Sequence, residues 1–363
     1  MAVFFIMMLL VYVAGNIYVY VRGLQTVHLL PVWCKWLYAI LYWTVSLSFI
    51  FVFILRNAGI SIALSRIVFE IGTGWLIFTL YMVLLLGCFD LLRLIFHALP
   101  NGFIPSLLFT FCVLTYGYVR YQYPATKVIH IDINKPLTNQ ERSIKVVAIS
   151  DVHLGLGTVK SKLKRYVDMI NEQKPDLILI SGDLIDNSIV PVKNQRMHEE
   201  LSRLNARLGV YMALGNHEYI SGLKDCMAYL SLTSIQVLRD TVVTLSNGIQ
   251  LVGRDDRHAR SRKQMTQLTQ DINACLPVIV LDHQPSEINQ AVEAGADLLI
   301  CGHTHNGQVW PLNFLTKRMF EISYGYEKRR QTHIYVTSGL SLWGPPFRIG
   351  TQSEMVVFNL SFQ

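Results

Sequence analysis

Ile144-Lys145-Val146-Val147-Ala148-Ile149-Ser150-Asp151-Val152-His153 decides how the C-terminal two thirds of the chain are read. A short apolar run bounded by polar residues fits a buried strand. Its end carries Asp151 and His153, two apart in an extended segment, so both side chains can face one side. The same grammar returns in Asp176-Leu177-Ile178-Leu179-Ile180-Ser181-Gly182-Asp183 and in Gly209-Val210-Tyr211-Met212-Ala213-Leu214-Gly215. Further strands are expected at 249–254, 278–282, 297–301, 333–337 and 354–360. Between the first two strands, Val159, Leu163, Val167 and Ile170 fall on one helical stripe, and a helical stretch after Asp183 runs to about Asn205. Strands alternating with helices predict a layered α/β architecture around a buried sheet.

Polar residues gather where these strands end: Asp151 and His153, then Asp183, then Asn216, His217 and Glu218, then Asp282 and His283, then His303 and His305. In open α/β sheets, sites form outside the carboxyl ends of the strands. Carboxylates and imidazoles together suit manganese, iron or zinc, and the lack of thiolates argues against a structural cysteine–zinc site. About seven candidate ligands are too many for one four-coordinate ion and suit two ions that share a carboxylate. Gly182, Gly215 and Gly302 let the backbone turn tightly beside them.

Taken in order, Asp151-x-His153, Gly182-Asp183, Gly215-Asn216-His217-Glu218, His283 and Gly302-His303-x-His305 resemble the motif set of the calcineurin-like metallophosphoesterases. The resemblance covers about residues 143–362, and the segment Ser338–Gly350 is similar to a membrane-associated bacterial branch, some of it related to UDP-diacylglucosamine hydrolases. It implies a four-layer α/β/β/α domain. It also implies two divalent metal ions, with manganese first and iron or zinc as alternatives. Asp151, His153, Asp183 and His305 would hold the first ion. Asp183 would bridge to the second, completed by Asn216, His283 and His303. His217 would bind no metal and would face the substrate phosphate as the catalytic side chain. Asp282 or Glu218 is expected to orient an imidazole through its free N–H.

Ahead of this domain the texture is different. The chain is 52% hydrophobic and 16% charged, and residues 1–120 hold only six of its 32 basic and two of its 25 acidic residues. Nearly charge-free runs at 1–21, 36–55, 71–89 and 103–119 are each near the ~20 residues that cross a bilayer. Trp33, Trp36, Trp43, Tyr116, Tyr118 and Tyr121 lie towards their ends, as interfacial aromatics do. No basic stretch precedes the first run, so it is read as a span and not a cleaved leader. The expected organisation is therefore a four-helix transmembrane region over 1–122, a linker over 123–142 and the α/β domain over 143–363. With four spans, both ends of the membrane region share a side. Arg56, Arg66, Arg120 and Lys127 on that side outweigh Arg22, Lys35 and Arg93, whereas Arg22 after the first span argues the reverse, so either orientation stands.

The remainder of the chain carries 26 basic and 23 acidic residues, which gives no reason to expect a nucleic-acid partner. Its cysteines, Cys226, Cys275 and Cys301, form no CxxC pair. His28, His97, His130, His198, His258 and His333 have no partner pattern and receive no metal role. The basic stretch Arg254, Arg257, Arg260, Arg262, Lys263 reads as a solvated loop or as a second anion site. Residues 308–320 mix Trp310, Phe314 and Leu315 with Lys317 and Arg318, and read as a packed loop or a lipid-facing lip.

The expected activity is hydrolysis of a phosphoester or pyrophosphate by a membrane-anchored enzyme of the bacterial inner membrane. A lipid-linked or membrane-proximal substrate is favoured. Soluble nucleotides or phosphoproteins are the alternative, and a non-catalytic membrane sensor the remote one.

Overall fold

The computed structural model describes residues 2–55 and 61–363. Met1, counted in the first span, and Arg56, used in the orientation argument, lie outside them.

Four long helices open the chain: α1 (Ala2–Thr26), α2 (Val32–Leu55), α3 (Ile62–Ile95) and α4 (Phe103–Gln122). Each contains a stretch long and apolar enough to cross a membrane. The third is longer than its apolar run because charges are tolerated at both ends. Arg66 pairs with Glu70 at one end, and Asp90 pairs with Arg22 at 2.8 Å near the other. Between the helices, buried Asn16 collects donors. Its Oδ1 accepts from Trp75 Nε1 at 2.8 Å, Ser46 Oγ at 2.9 Å and Tyr42 Oη at 3.2 Å. A polar group in hydrocarbon must find its partners within the protein, so this hub ties α2 and α3 to α1.

Residues up to Val119, with Gly344–Phe347, form one compact unit; Arg120–Trp343 and Arg348–Gln363 form the other. The second is built on twelve strands, β1 (Ala125–Ile133), β2 (Ser143–Ile149), β3 (Leu177–Ser181), β4 (Val210–Ala213), β5 (Ile235–Leu238), β6 (Thr241–Thr244), β7 (Gln250–Gly253), β8 (Val278–Leu281), β9 (Leu298–Cys301), β10 (Gly325–Arg329), β11 (Thr332–Val336) and β12 (Glu354–Phe362). They make two six-stranded sheets, ordered β1-β12-β2-β3-β4-β5 and β10-β11-β9-β8-β7-β6. Strands β2 to β5 run parallel in one, and β7, β8, β9 and β11 run parallel in the other.

Strand alternation sets the layers. Val146, Ala148, Leu177 and Leu179 face Leu251, Ile279, Leu298 and Ile300 in a core between the sheets. Their neighbours Val147, Ile149, Ile178 and Ile180 point outward onto Leu163, Val167 and Ile170 of the helix Lys160–Glu172. On the far side, Val252, Val280 and Leu299 pack under Ile288, Ala291 and Val292. The result is the expected four layers, helix, sheet, sheet and helix.

The eight expected strands are present within two residues of their predicted ends, and four were not foreseen. Part of the supposed linker is β1, which pairs in parallel with β12. Its signal is the alternation Ile129, Ile131, Ile133, of which the last two are buried and the intervening Asp132 is exposed. The helical stretch to Asn205 divides into Val190–Asn194 and His198–Leu201, because Arg196 between them adopts a left-handed φ of 50°.

Candidate metal centre

Five strand ends meet, and they belong to both sheets. Strands β2, β3 and β4 deliver Asp151, His153, Asp183, Asn216 and His217; β8 and β9 deliver His283, His303 and His305. The turns are tight. Asp151, His153, Asp183, His303 and His305 all have positive φ, between 48° and 71°. Non-glycine residues visit that region rarely and at a cost of ~1–3 kcal/mol each, so the surrounding structure holds them there. Gly182 makes the crowding possible: its φ is +81°, and a Cβ there would meet Nδ1 of His283 at 2.5 Å. At Gly215 a Cβ would run into the Asp183 carboxylate.

Among the described residues three overlapping groups of ligand atoms result, two of which share no residue. Asp151, His153 and His305 form one and Asp183, His283 and His303 the other, each with its donor atoms within 4.8 Å of one another. In the first group, Nε2 of His305 lies 3.3 Å from Asp151 Oδ1 and 3.1 Å from Nε2 of His153. In the second, Nε2 of His283 lies 3.1 Å from Asp183 Oδ2, and Asn216 Oδ1 lies 2.9 Å from His303 Nδ1. The same Asp183 oxygen stands 3.9 Å from His153 Nε2, so this carboxylate lies between the groups. His217 joins a third grouping with His153 and Asp183.

The donor chemistry fits cations. Nδ1 of His283 sits 2.8 Å from the Ser181 carbonyl oxygen, which can only accept, so that nitrogen carries the proton. In the neutral ring Nε2 would turn a lone pair towards the Asp183 carboxylate, so two acceptors would face each other across 3.1 Å unless a proton or a cation lies between them. Burial opposes charge on His283, yet Asp183 with Asp151 and Asp256 outweighs it and drives the imidazole pKa well above its ordinary value. The pocket therefore draws in positive charge. Burial holds His303 at about 4 and His305 well below the ordinary range, which leaves both as neutral imidazoles able to ligate.

Support comes from residues that the motifs do not all contain. Neither Asp282 nor Glu218 orients an imidazole, contrary to expectation. Asp282 is taken up by Arg254 at 3.3 Å and Arg262 at 2.6 Å. Glu218 instead accepts the backbone amides of Asp183, Ile185 and Gly215, at 3.1, 2.9 and 2.8 Å, and so locks two ligand turns together. Burial and then repulsion from Asp183 raise its pKa to about 7. The imidazole partners are the Ser181 carbonyl and Asp186. Oδ1 of Asp186 lies 3.5 Å from His153 Nδ1 and 3.1 Å from His217 Nδ1. Burial would raise the Asp186 pKa, but those two histidines bring it down to about 2. Its position three residues beyond Asp183 was the available signal.

Arg348, within the terminal motif but given no role there, is fully buried and spends its guanidinium on backbone. It donates to the carbonyls of His305 at 2.7 Å, Ser338 at 2.5 Å and Ser341 at 2.9 Å. Arg254 and Arg262 are likewise internal, so the basic stretch is neither wholly solvated nor wholly free for an anion; Arg257, Arg260 and Lys263 remain exposed. His258 rests on Asp256 at 2.7 Å and joins no ligand group among the described residues.

A family profile described as calcineurin-like phosphoesterase matches residues 144–307. An uncharacterized metallophosphoesterase of Campylobacter jejuni is 31% identical over 74% of this chain and 71% of its own length. Another from Helicobacter pylori is 33% identical over 62% of this chain and 61% of its own. A zebrafish (Danio rerio) transmembrane protein with metallophosphoesterase domain is 33% identical over 69% of this chain and 60% of its own. The chain belongs to the calcineurin-like metallophosphoesterase family. With four helices long and apolar enough to cross a membrane ahead of the domain, it is a membrane protein.

Proposed function

We propose that this chain is a membrane-anchored hydrolase that cleaves a phosphoester or pyrophosphate bond at a centre of two divalent metal ions. One observation carries the reading: the Asp183 carboxylate stands between two ligand groups, 3.1 Å from His283 and 3.9 Å from His153. Asp151, His153, Asp183 and His305 would hold one ion, and Asp183, Asn216, His283 and His303 the other. Oxygen donors mixed with imidazoles suit manganese, with iron or zinc as alternatives. When bound, such ions supply a water of lowered pKa at neutral pH and neutralise charge on the phosphoryl oxygens.

The chain's own residues do the rest. Asp186 faces Nδ1 of His217, an arrangement that would keep a proton on that nitrogen and aim the opposite edge of the ring at the substrate. Burial lowers the His217 pKa, but Asp186, Asp183 and Glu218 together outweigh it and raise the value, so a proton is available for the leaving oxygen. Glu218 keeps the Asp183 and Gly215 turns in register.

The substrate we favour is lipid-linked, in the inner membrane of a bacterium. Two residues separate the end of α4 at Gln122 from the start of β1 at Ala125, so the catalytic unit stays at the membrane. The test is phosphate release, with Mn²⁺ added, from an acylated nucleotide-sugar pyrophosphate and from bis-p-nitrophenyl phosphate, beside Asp183→Ala. Asp183-dependent turnover of the acylated compound over the soluble one is expected. Turnover of the soluble ester alone would keep the metal chemistry and discard the lipid substrate.

A further inference from the structure

Directly beyond His303 and His305 the chain enters the helix Leu312–Met319, none of whose residues is buried. Its amphipathicity is inverted. Asn313 and Thr316 are partly covered, whereas Leu312, Leu315 and Met319 form an outward stripe that is 41%, 56% and 65% exposed. Phe314 beside it is 59% exposed. A helix resting on a protein core in water turns its apolar stripe inward. Here the stripe has the spacing of one helix face and looks away from the core.

Two further observations say what covers it. Lys317 and Arg318 end the helix, both exposed, and neither makes an ion pair among the described residues. Exposed cations beside an apolar face suit a surface that is both apolar and anionic, as the headgroup region of a bilayer is. The two-residue connection from α4 ties the α/β unit covalently to a segment long and apolar enough to cross a membrane. The helix also borders the metal centre. Phe320, the residue after it, sets its ring edge-on to His303 at a centroid distance of 5.8 Å.

We infer that Leu312–Met319 is an interfacial lip that embeds Leu312, Leu315 and Met319 among lipid headgroups, with Lys317 and Arg318 on their phosphates. The inference deepens the proposed lipid-linked substrate and rests on that reading for its purpose: the lip would bring the metal centre to a phosphate whose acyl chains stay in the membrane. Docking itself stands on the exposed stripe and the short tether.

The experiment uses the full chain in nanodiscs of phosphatidylglycerol and phosphatidylcholine. Cys34, Cys88, Cys112 and Cys275 are replaced by serine, and a fluorescent nitrobenzoxadiazole label is attached at Leu315→Cys or, as a water-exposed reference, at Leu232→Cys. A doxyl quencher near the lipid headgroups should reduce emission from position 315 at least about twofold, more than a quencher deep in the chains, as an interfacial helix requires. Position 232 should remain quenched only by aqueous iodide. Iodide access at 315 equal to that at 232, with no lipid quenching, overturns the inference. So does emission from 315 that is shielded from iodide yet insensitive to lipid quenchers, since a protein surface then covers the stripe. Lipid quenching in a chain that hydrolyses neither test ester would uphold the docking and overturn only the proposed activity.

Discussion

Nδ1 of His217 lies 3.1 Å from Oδ1 of Asp186, and the same oxygen lies 3.5 Å from Nδ1 of His153. One buried carboxylate therefore faces both the proposed catalytic imidazole and a proposed metal ligand. Changing it should affect catalysis and metal affinity in proportions that differ from those of either histidine.

Asp186→Asn is expected to lower kcat by ~10–100-fold, the range for losing a partner that orients a metal-site imidazole. Metal affinity should weaken as well, through His153. His217→Ala should lose ~10²–10⁴-fold in kcat, the contribution of a positioned proton donor, while retaining bound metal. Steady-state kinetics with metal analysis of the same samples checks both. Loss of metal in His217→Ala would assign that residue to the ligands.

Glu218→Ala leaves the amides of Asp183, Ile185 and Gly215 buried without acceptors. Each costs ~1–3 kcal/mol when unsatisfied, so a loss of several degrees in Tm is expected together with loss of metal. Differential scanning fluorimetry with and without Mn²⁺ reads both effects. An unchanged Tm would show that water takes over the glutamate's role.

Chelation should destabilise the α/β unit selectively. Ligand present at a hundred times its Kd stabilises by ~2.7 kcal/mol, which EDTA would remove and Mn²⁺ restore. Hydrogen exchange should quicken at residues 150–154, 182–186 and 302–306 before the outlying strands β1 and β6. Uniform exchange across the unit would contradict a locally organised centre.

Asn16→Leu removes the acceptor of Ser46 and Trp75, while Tyr42 keeps the backbone carbonyl of residue 16 at 2.8 Å. Hydrogen bonds between membrane helices are worth ~0.6–2 kcal/mol each, so the helical unit should unfold at lower denaturing-detergent concentration. Phosphoesterase activity of the folded fraction should be unchanged.

Much of this site was legible because its ligands end strands whose apolar cores are unambiguous. Asp151 follows Ile144–Ile149 and Asp183 follows Leu177–Ile180, and such runs can only be buried. The metal groupings then follow from which strand ends meet. What the sequence concealed lies off that pattern. Strands β5 and β6 are no shorter than β4, β8 or β9 but lack their continuous buried run, since β5 exposes Gln236 and no residue of β6 is buried. Asp186 sits in a loop with no periodic signal, and its partners are fixed only when β2, β3 and β4 align. Asp282 was misread because a carboxylate beside a histidine looks like its partner. In a strand, neighbouring side chains point to opposite faces, and Asp282 turns to Arg254 and Arg262 while His283 turns to Asp183.

The most direct measurement is the metal content of the purified chain by inductively coupled plasma mass spectrometry, for wild type and Asp183→Ala. A bridging Asp183 predicts close to two ions per wild-type chain and loss of both, with activity, in the variant. One ion in the wild type, or activity surviving in Asp183→Ala, would contradict the shared-carboxylate centre.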